Sequence, residues 1–490
     1  MGGRIHKTCL LMGACAPLLS ACALGPDFLR PVTAATSQAS YINAVEETHP
    51  TKKMDHWWKQ INDPLLNKHI TELRSQNLQL IQAAERLIQA RAAVTTQTGA
   101  YYPSVSATAN AGRSFTPNTI GANGRTYINS YNPELSSTWE VDIFGRIRRS
   151  VEAADATYIA SMYDREALLH SLIADLVSLR VEIAVNKRLL DLAKKNVQNR
   201  KEIYDYIRNQ YELGVQGSNP QNVFQAEDNL TSVQSDVHTY ERLLADALYR
   251  FDVLLGKPPG ATNTTETEFP MIVPPIETPT CVPADLLDRR PDLRASELRI
   301  KAANAEIGVA IADLFPTLSL SGAIGFSGDS TNGLFNANQL AGSILGSLTA
   351  RLFQGGALRA NIDIQESQAR ELTAAYAEDV LNALREVETG LKADKELMQE
   401  LKNDQRSVEA LRQAERIMYD RYRQGVESFQ DYLNTQRDLY IAEQTLLATQ
   451  SNHWNARISL YLALGGDWAP SNGLNDLSSC TKENIDDTQE

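Results

Sequence analysis

Apolar side chains recur every seven residues from Leu169 to Tyr211, which confines this stretch to one side of a long coiled coil: Leu169, Leu176, Ile183, Leu190, Val197, Tyr204 and Tyr211 form one series. Leu172, Leu179, Asn186, Ala193, Arg200 and Ile207 form a second, interrupted at Asn186 and Arg200. Together they make a narrow a/d seam, not the broad apolar face of a globular helix. A strict period of seven favours a left-handed supercoil. An ordinary core helix is the competing reading, and length weighs against it, because such helices seldom hold a heptad through some forty residues.

Past Tyr211 the segment Glu212-Leu213-Gly214-Val215-Gln216-Gly217-Ser218-Asn219-Pro220 stops the helix and turns the chain. The heptad resumes through Val223, Leu230, Val237, Leu244 and Phe251, with Ala226, Val233, Tyr240, Ala247 and Leu254 three residues out of phase. Two such helices joined by a short turn are antiparallel neighbours. The unit occurs twice. Tyr211-Glu212-Leu213-Gly214-Val215 answers to Tyr422-Arg423-Gln424-Gly425-Val426, Leu255-Gly256 to Leu464-Gly465, and Tyr102-Pro103-Ser104-Val105 to Phe315-Pro316-Thr317-Leu318. The offset stays between 209 and 213, so the body of the chain is a tandem duplication.

Between the helices the period changes to two. Val105, Ala107, Ala109 and Ala111 alternate with Ser104, Ser106, Thr108 and Asn110; a loop is expected over 116–126; then Leu135, Ser137, Trp139, Val141 and Ile143 alternate with Glu134, Ser136, Thr138, Glu140 and Asp142. The second copy repeats this with Leu318, Leu320, Ile324 and Phe326, then Ile344, Leu348, Ala350 and Leu352 opposite Ser343, Ser347, Thr349 and Arg351. Ten-residue strands, apolar on one face and polar on the other, are the pattern of outer-membrane barrels, though a soluble sandwich alternates too. Four strands cannot close a barrel, which needs about eight, so the barrel is expected to be shared between subunits, with Glu134, Glu140 and Asp142 turned toward its lumen.

The N-terminus supports that address. Arg4 and Lys7, an apolar run from Cys9 to Leu19 and a small-residue end make a secretory signal too short to span a bilayer. Leu19-Ser20-Ala21-Cys22 resembles the bacterial lipobox, which makes Cys22 the acylated first residue of the mature chain; Met12-Gly13-Ala14-Cys15 is a weaker competitor. Loss of Arg4 and Lys7 with the signal takes the formal charge from −13 to −15, which argues against nucleic acid as a partner. With no further run of eighteen apolar residues, a closed barrel is the remaining way across a membrane.

Trp57-Trp58 with Asp63-Pro64-Leu65-Leu66 opens a helical region expected to run to about Gly99. Phe144-Gly145-Arg146-Ile147-Arg148-Arg149 follows a strand, and Arg290-Pro291-Asp292-Leu293 opens the second copy. With the lipobox and the doubled Tyr-x-x-Gly-Val turn, these motifs resemble the TolC-type outer-membrane factors, in particular the NodT-like lipoproteins of tripartite efflux systems. The resemblance covers residues 22–470. It implies an α+β membrane protein: a homotrimeric barrel-tunnel with four strands per protomer in a twelve-stranded barrel, long antiparallel coiled-coil helices forming a periplasmic cylinder, and an equatorial belt. Its partners would be a periplasmic adaptor, an inner-membrane pump of the RND type, and outer-membrane lipid. The corresponding division is 1–21 signal peptide, 22–64 lipidated equatorial segment, 65–256 first repeat, 257–285 linker, 286–465 second repeat and 466–490 equatorial tail.

A tunnel open at its periplasmic end would leak, so the hairpin tips at Gly214 and Gly425 are expected to meet there. In the second copy Tyr422, Gly425 and Asp431 fit the family's gate pattern, with Asn434 where a second carboxylate is usual; Asn222 and Gln225 stand near the equivalent places in the first copy, after a turn two residues longer. The alternative for Asp431 is a plain helix cap. Cys281 and Cys480, both in irregular segments, are a possible disulfide pair whose separation the sequence does not show.

No catalytic constellation is present. The seven histidines are scattered, and His453 sits at a seam position where packing is the simpler role. There is no phosphate-binding or nucleophile-elbow motif. No cofactor or metal site is expected, and seven ungrouped methionines give no sign of a soft-metal path. The leading function is a passive export duct for drugs or other small toxic compounds. A channel for type I protein secretion or metal-cation efflux is the alternative, and a structural coiled-coil lipoprotein is disfavoured by the duplicated strands.

Overall fold

The structure, a computed structural model, describes residues 23–33, 35, 41–43, 57–61, 63–117, 125–216, 218–261, 269–273 and 286–466. The first copy holds a 3₁₀ turn (Trp57–Ile61), α1 (Pro64–Gln76), α2 (Leu78–Gly99), β1 (Ser104–Pro117), β2 (Arg125–Val141), α3 (Arg146–Glu212) and α4 (Pro220–Leu254). The second holds α5 (Leu286–Arg289), α6 (Pro291–Ala312), β3 (Thr317–Phe326), β4 (Leu340–Thr349), α7 (Ala357–Arg423) and α8 (Phe429–Ala463). Paired helices are equal in length: 22 residues in α2 and α6, 67 in α3 and α7, 35 in α4 and α8. The duplication survives in these lengths where residue identity has faded.

The single helical region expected to run to Gly99 is in fact two helices. Asp63 caps α1 by accepting from the Leu65 and Leu66 amides, and the break falls at Asn77. The Asn77 amide closes α1 on Leu73 O, its Oδ1 starts α2 by accepting from Gln79 and Leu80, and its Nδ2 donates to Leu254 O at 2.8 Å. One side chain thus caps one helix and ties it to the end of another.

The strands form one antiparallel sheet in the order β1-β2-β3-β4. Ala107 pairs with Leu135, Leu135 with Ile324, and Ile324 with Gly342, so the apolar positions of all four strands share a face. That face stays open in the protomer: Val105, Leu135, Ile324, Ile344 and Leu348 are exposed, Ile344 at 93%. β1 and β2 run to 14 and 17 residues against ten for β3 and β4, so the loop expected from residue 116 begins only after Pro117. The last strand ends at Thr349, short of the alternation expected through Ala350, Arg351 and Leu352.

The chain divides into two compact units. One combines the stretch to Pro31 with Glu85–Met162 and Ala295–Tyr376 and holds the sheet; the other combines Val32–Ala84, Tyr163–Arg294 and Ala377–Glu490. In the helical unit, Leu176, Ile183, Ala193, Val233, Ala247 and Phe251 are buried, as the heptads require, and so are Val380 and Val387 of the second copy; Tyr211, at the far end of its series, is exposed. Trp57 stacks on Tyr461 with centroids 4.8 Å apart and packs with Leu66, Leu73 and Phe251, a bulky closure for a bundle with narrow seams. Among the described residues no helix is long and apolar enough to cross a membrane.

Candidate functional site

Both long helices end in the same device. Gly214 and Gly425 adopt φ of +64° and +74°. Their amides donate to Tyr211 O and Tyr422 O, and Val215 and Val426 reach back to Gln210 O and Arg421 O. This is the Schellman closure, in which a left-handed residue lets the last carbonyls be satisfied; only glycine adopts it without a Cβ penalty. α3 ends at Glu212 and α4 starts at Pro220, against Arg423 and Phe429 in the second copy, so the first connection is two residues longer. Asn219 caps α4 ahead of Pro220, and an Arg421–Glu427 ion pair at 2.7 Å braces the second turn.

Behind the second turn lies an aromatic layer. Tyr422 stacks on Tyr432 with rings 7° from parallel and 5.9 Å apart, and Phe429 packs against it with Ile207, Ala226 and Leu433. Burial, helped by Tyr206, pushes the Tyr422 phenol up to about 12. Tyr432 donates to Glu415 Oε1 at 3.2 Å and accepts from Gln436 Nε2; burial and the Glu415 carboxylate raise it further still, while burial raises Glu415 itself. Both hydroxyls stay protonated at any physiological pH, and that of Tyr432 acts as a donor to Glu415.

The residues read from the sequence as the gate sit on this scaffold in different ways. Ser428, not Asp431, occupies the N-cap of α8: its Oγ accepts from the Asp431 amide at 3.1 Å and donates to Asp431 Oδ2 at 2.5 Å. Asp431 is exposed, one turn in, where the positive end of the helix favours a carboxylate. Asn434 is half-buried and accepts from Gln430 and Arg437. Asn222 and Gln225 lie half-buried in the first two turns of α4. Sequence reading did not pick out Ser428, although Ser-x-x-Asp before an apolar run is a legible capping box.

The polar interruptions of the seam have partners. Arg200 is buried and donates through Nη1 to Asn229 O and Oδ1 at 2.8 and 2.6 Å, with its guanidinium over the Tyr440 ring; burial lowers its pKa. Tyr440 in turn donates to Asp236 at 3.1 Å. His453 packs in the seam as expected, 3.1 Å from Asp394, which also takes a bidentate Arg457. The described residues contain no group of His, Cys, Asp or Glu placed to hold a metal.

Near the sheet, two of the acids expected in the lumen have local roles. Glu140 takes a bidentate contact from Arg146, and Asp142 caps α3 through the Ile147 and Arg148 amides. The start of the described chain is strapped to the same place. Leu24 donates to Phe144 O, and Arg149 donates to Leu24 O, Gly25 O and Asp27. Gly25 lies so close to Gly308 that an added Cβ would come within 2.6 Å of its backbone. Cys22, Cys281 and Cys480 themselves lie outside the described residues.

Comparison with known proteins agrees with this geometry. The model of the family described as outer membrane efflux protein matches residues 69–257 and 282–466, one match to each copy. The toluene efflux pump outer membrane protein TtgC of Pseudomonas putida is 29% identical over 474 residues, 95% of this chain and 97% of its own length. Nodulation protein T of Rhizobium leguminosarum bv. viciae is 30% identical over 461 residues, 92% of each chain. The solved outer-membrane channel OprN superposes with a TM-score of 0.81 at 30% identity, covering 91% of this chain and 99% of that one. A duplicated helical hairpin, a shared-face antiparallel sheet and matches across both copies thus place this chain in the outer membrane efflux protein family, as a channel component of the outer membrane.

Proposed function

We propose that three copies of this chain close a twelve-stranded barrel in the outer membrane and a helical tunnel below it, which together serve as the passive exit duct of a tripartite efflux system. The observation that carries this reading is the sheet. Among the described residues it has four strands, it presents the outer edges of β1 and β4 for further pairing, and its apolar face is exposed over the length of a membrane strand. An open edge and an apolar face are both liabilities unless neighbours and lipid cover them.

The cargo in this reading is drugs or other small toxic compounds, the class to which toluene, named for the Pseudomonas relative, belongs. Driving energy comes from an inner-membrane pump of the RND type through a periplasmic adaptor docked at the hairpin tips, while lipid on Cys22 anchors the N-terminus. The tips form the gate, with three copies of Asp431 as an acidic ring about the axis. The test is direct. The purified full chain should run as a trimer and conduct in planar bilayers, and a deletion strain complemented with it should regain resistance to small organic toxicants. A monomeric, non-conducting protein would overturn the duct; conduction with no effect on resistance would overturn the cargo class.

A further inference from the structure

The β1–β2 hairpin outruns the rest of the sheet at the end away from the helices. The β2–β3 ladder stops at Glu134–Gly325, with a last bridge at Tyr131–Gly328, while β1 and β2 continue through Arg113–Asn129, Phe115–Tyr127 and Pro117–Arg125. Alternation puts Arg113, Phe115, Tyr127 and Arg125 on the same face as Leu135 and Trp139, the exposed apolar one. Each arginine lies over a ring of the opposite strand: Arg113 Cζ is 4.6 Å from the Tyr127 centroid, and Arg125 Cζ is 5.0 Å from that of Phe115. Among the described residues neither arginine has an ion-pair partner.

Their height matters. From Trp139 to Tyr127, at ~3.4 Å per residue and a tilt of ~40°, the hairpin climbs roughly 30 Å, close to the apolar band of an outer-membrane barrel with an aromatic girdle at each rim. The arginines therefore stand at the far rim, facing lipid. Stacking occupies the face of a guanidinium and leaves its N–H edge for an anion, for which the forked geometry of phosphate is the best match.

We propose that Arg113 and Arg125 form a clamp for the phosphates of an outer-leaflet lipid of the lipid A class. The choice follows from charge: two fixed cations match the two phosphomonoesters of that lipid, whereas a glycerophospholipid offers a single phosphodiester. The inference rests on the barrel placement proposed above. To test it, the full chain is reconstituted in phosphatidylcholine nanodiscs holding equal fractions of lipid A and phosphatidylglycerol, re-extracted in mild detergent, and its retained lipid measured by mass spectrometry.

Wild type should retain lipid A in preference to phosphatidylglycerol. The double variant Arg113→Gln, Arg125→Gln should lose this by roughly fivefold per arginine. Arg113→Lys, Arg125→Lys should lose less, since it keeps the charge but not the fork. Equal lipid A retention by wild type and the glutamine variant, or equal retention of the two lipids by wild type, would overturn the clamp. Wild type that fails to enter the nanodisc at all would overturn the barrel placement, and the clamp with it.

Discussion

Asp431 combines two roles that a well-chosen substitution separates. It accepts a hydrogen bond from the cap residue Ser428, and it carries the exposed charge that would form the ring at the closed tip. Asp431→Asn keeps an oxygen for Ser428 and removes the charge, so it should raise single-channel conductance and weaken block by multivalent cations while costing only the roughly 0.3–1 kcal/mol of a charge at a helix N-terminus. Ser428→Ala should do the reverse, costing about 1 kcal/mol with the block intact. An asparagine variant that conducts and blocks like wild type would reduce Asp431 to a capping residue. His69 supports a second prediction. It lies buried edge-on to Phe251, and burial with the Arg180 charge lowers its pKa from 6.5 to about 4. The unfolded chain therefore binds the extra proton first as pH falls. Stability is complete above about 6.5, declines through the window, and levels off near 4, with a loss of order 3 kcal/mol. Thermal midpoints at pH 7.5 and 4.5 should differ more for wild type than for His69→Gln. Residue roles of this kind were only partly legible: Asn186 and Arg200 showed as breaks in a heptad, but Asn229, the partner of Arg200, lies 29 residues on across a hairpin, a separation that periodicity does not encode.

At the scale of elements, Asp63 shows how one carboxylate joins a helix start to the bundle. It caps α1 and pairs with Arg180 of α3, both side chains being almost fully buried. Asp63→Ala removes cap and counter-ion together and should cost about 3–5 kcal/mol; Asp63→Asn keeps the cap and loses only the charge, so it should cost clearly less. Equal losses in urea unfolding would assign the whole effect to the lost ion pair with Arg180 and none to the cap. Gly425→Val forces a β-branched residue into the left-handed region at the tip and should cost at least about 1–2 kcal/mol, with Gly214→Val behaving alike because the closures match. Elements of this kind were largely readable: α3 and α7 end at the turns that Gly214 and Gly425 mark in the sequence. The break at Asn77 was not readable, because a single asparagine inside a helical stretch is a cap only if the chain bends there. Nor was the extension of β1, where Arg113 interrupts the apolar alternation although the backbone pairing continues.

For the whole molecule, the register lets one residue on each side of the sheet test which face meets lipid. Ile324 pairs with Leu135 and Gly342 near mid-height of the apolar face, and its side chain is half exposed in the protomer. Ser343 pairs with Ala323 one rung away and points to the opposite, polar face. If three sheets close with the apolar face outward, Ile324→Lys places a charge in hydrocarbon near the midplane, at a cost of about 2–4 kcal/mol per chain, and should cut the yield of inserted trimer. Ser343→Lys places three charges in the lumen of an acidic protein; insertion should be normal, while conductance for cations falls and selectivity shifts toward anions. The two variants sit one rung apart on neighbouring strands and introduce the same side chain, so depth and new charge are matched between them. A normal Ile324→Lys trimer paired with a non-inserting Ser343→Lys would invert the barrel, and equal loss of insertion in both would mean that this sheet does not meet lipid through one face at all.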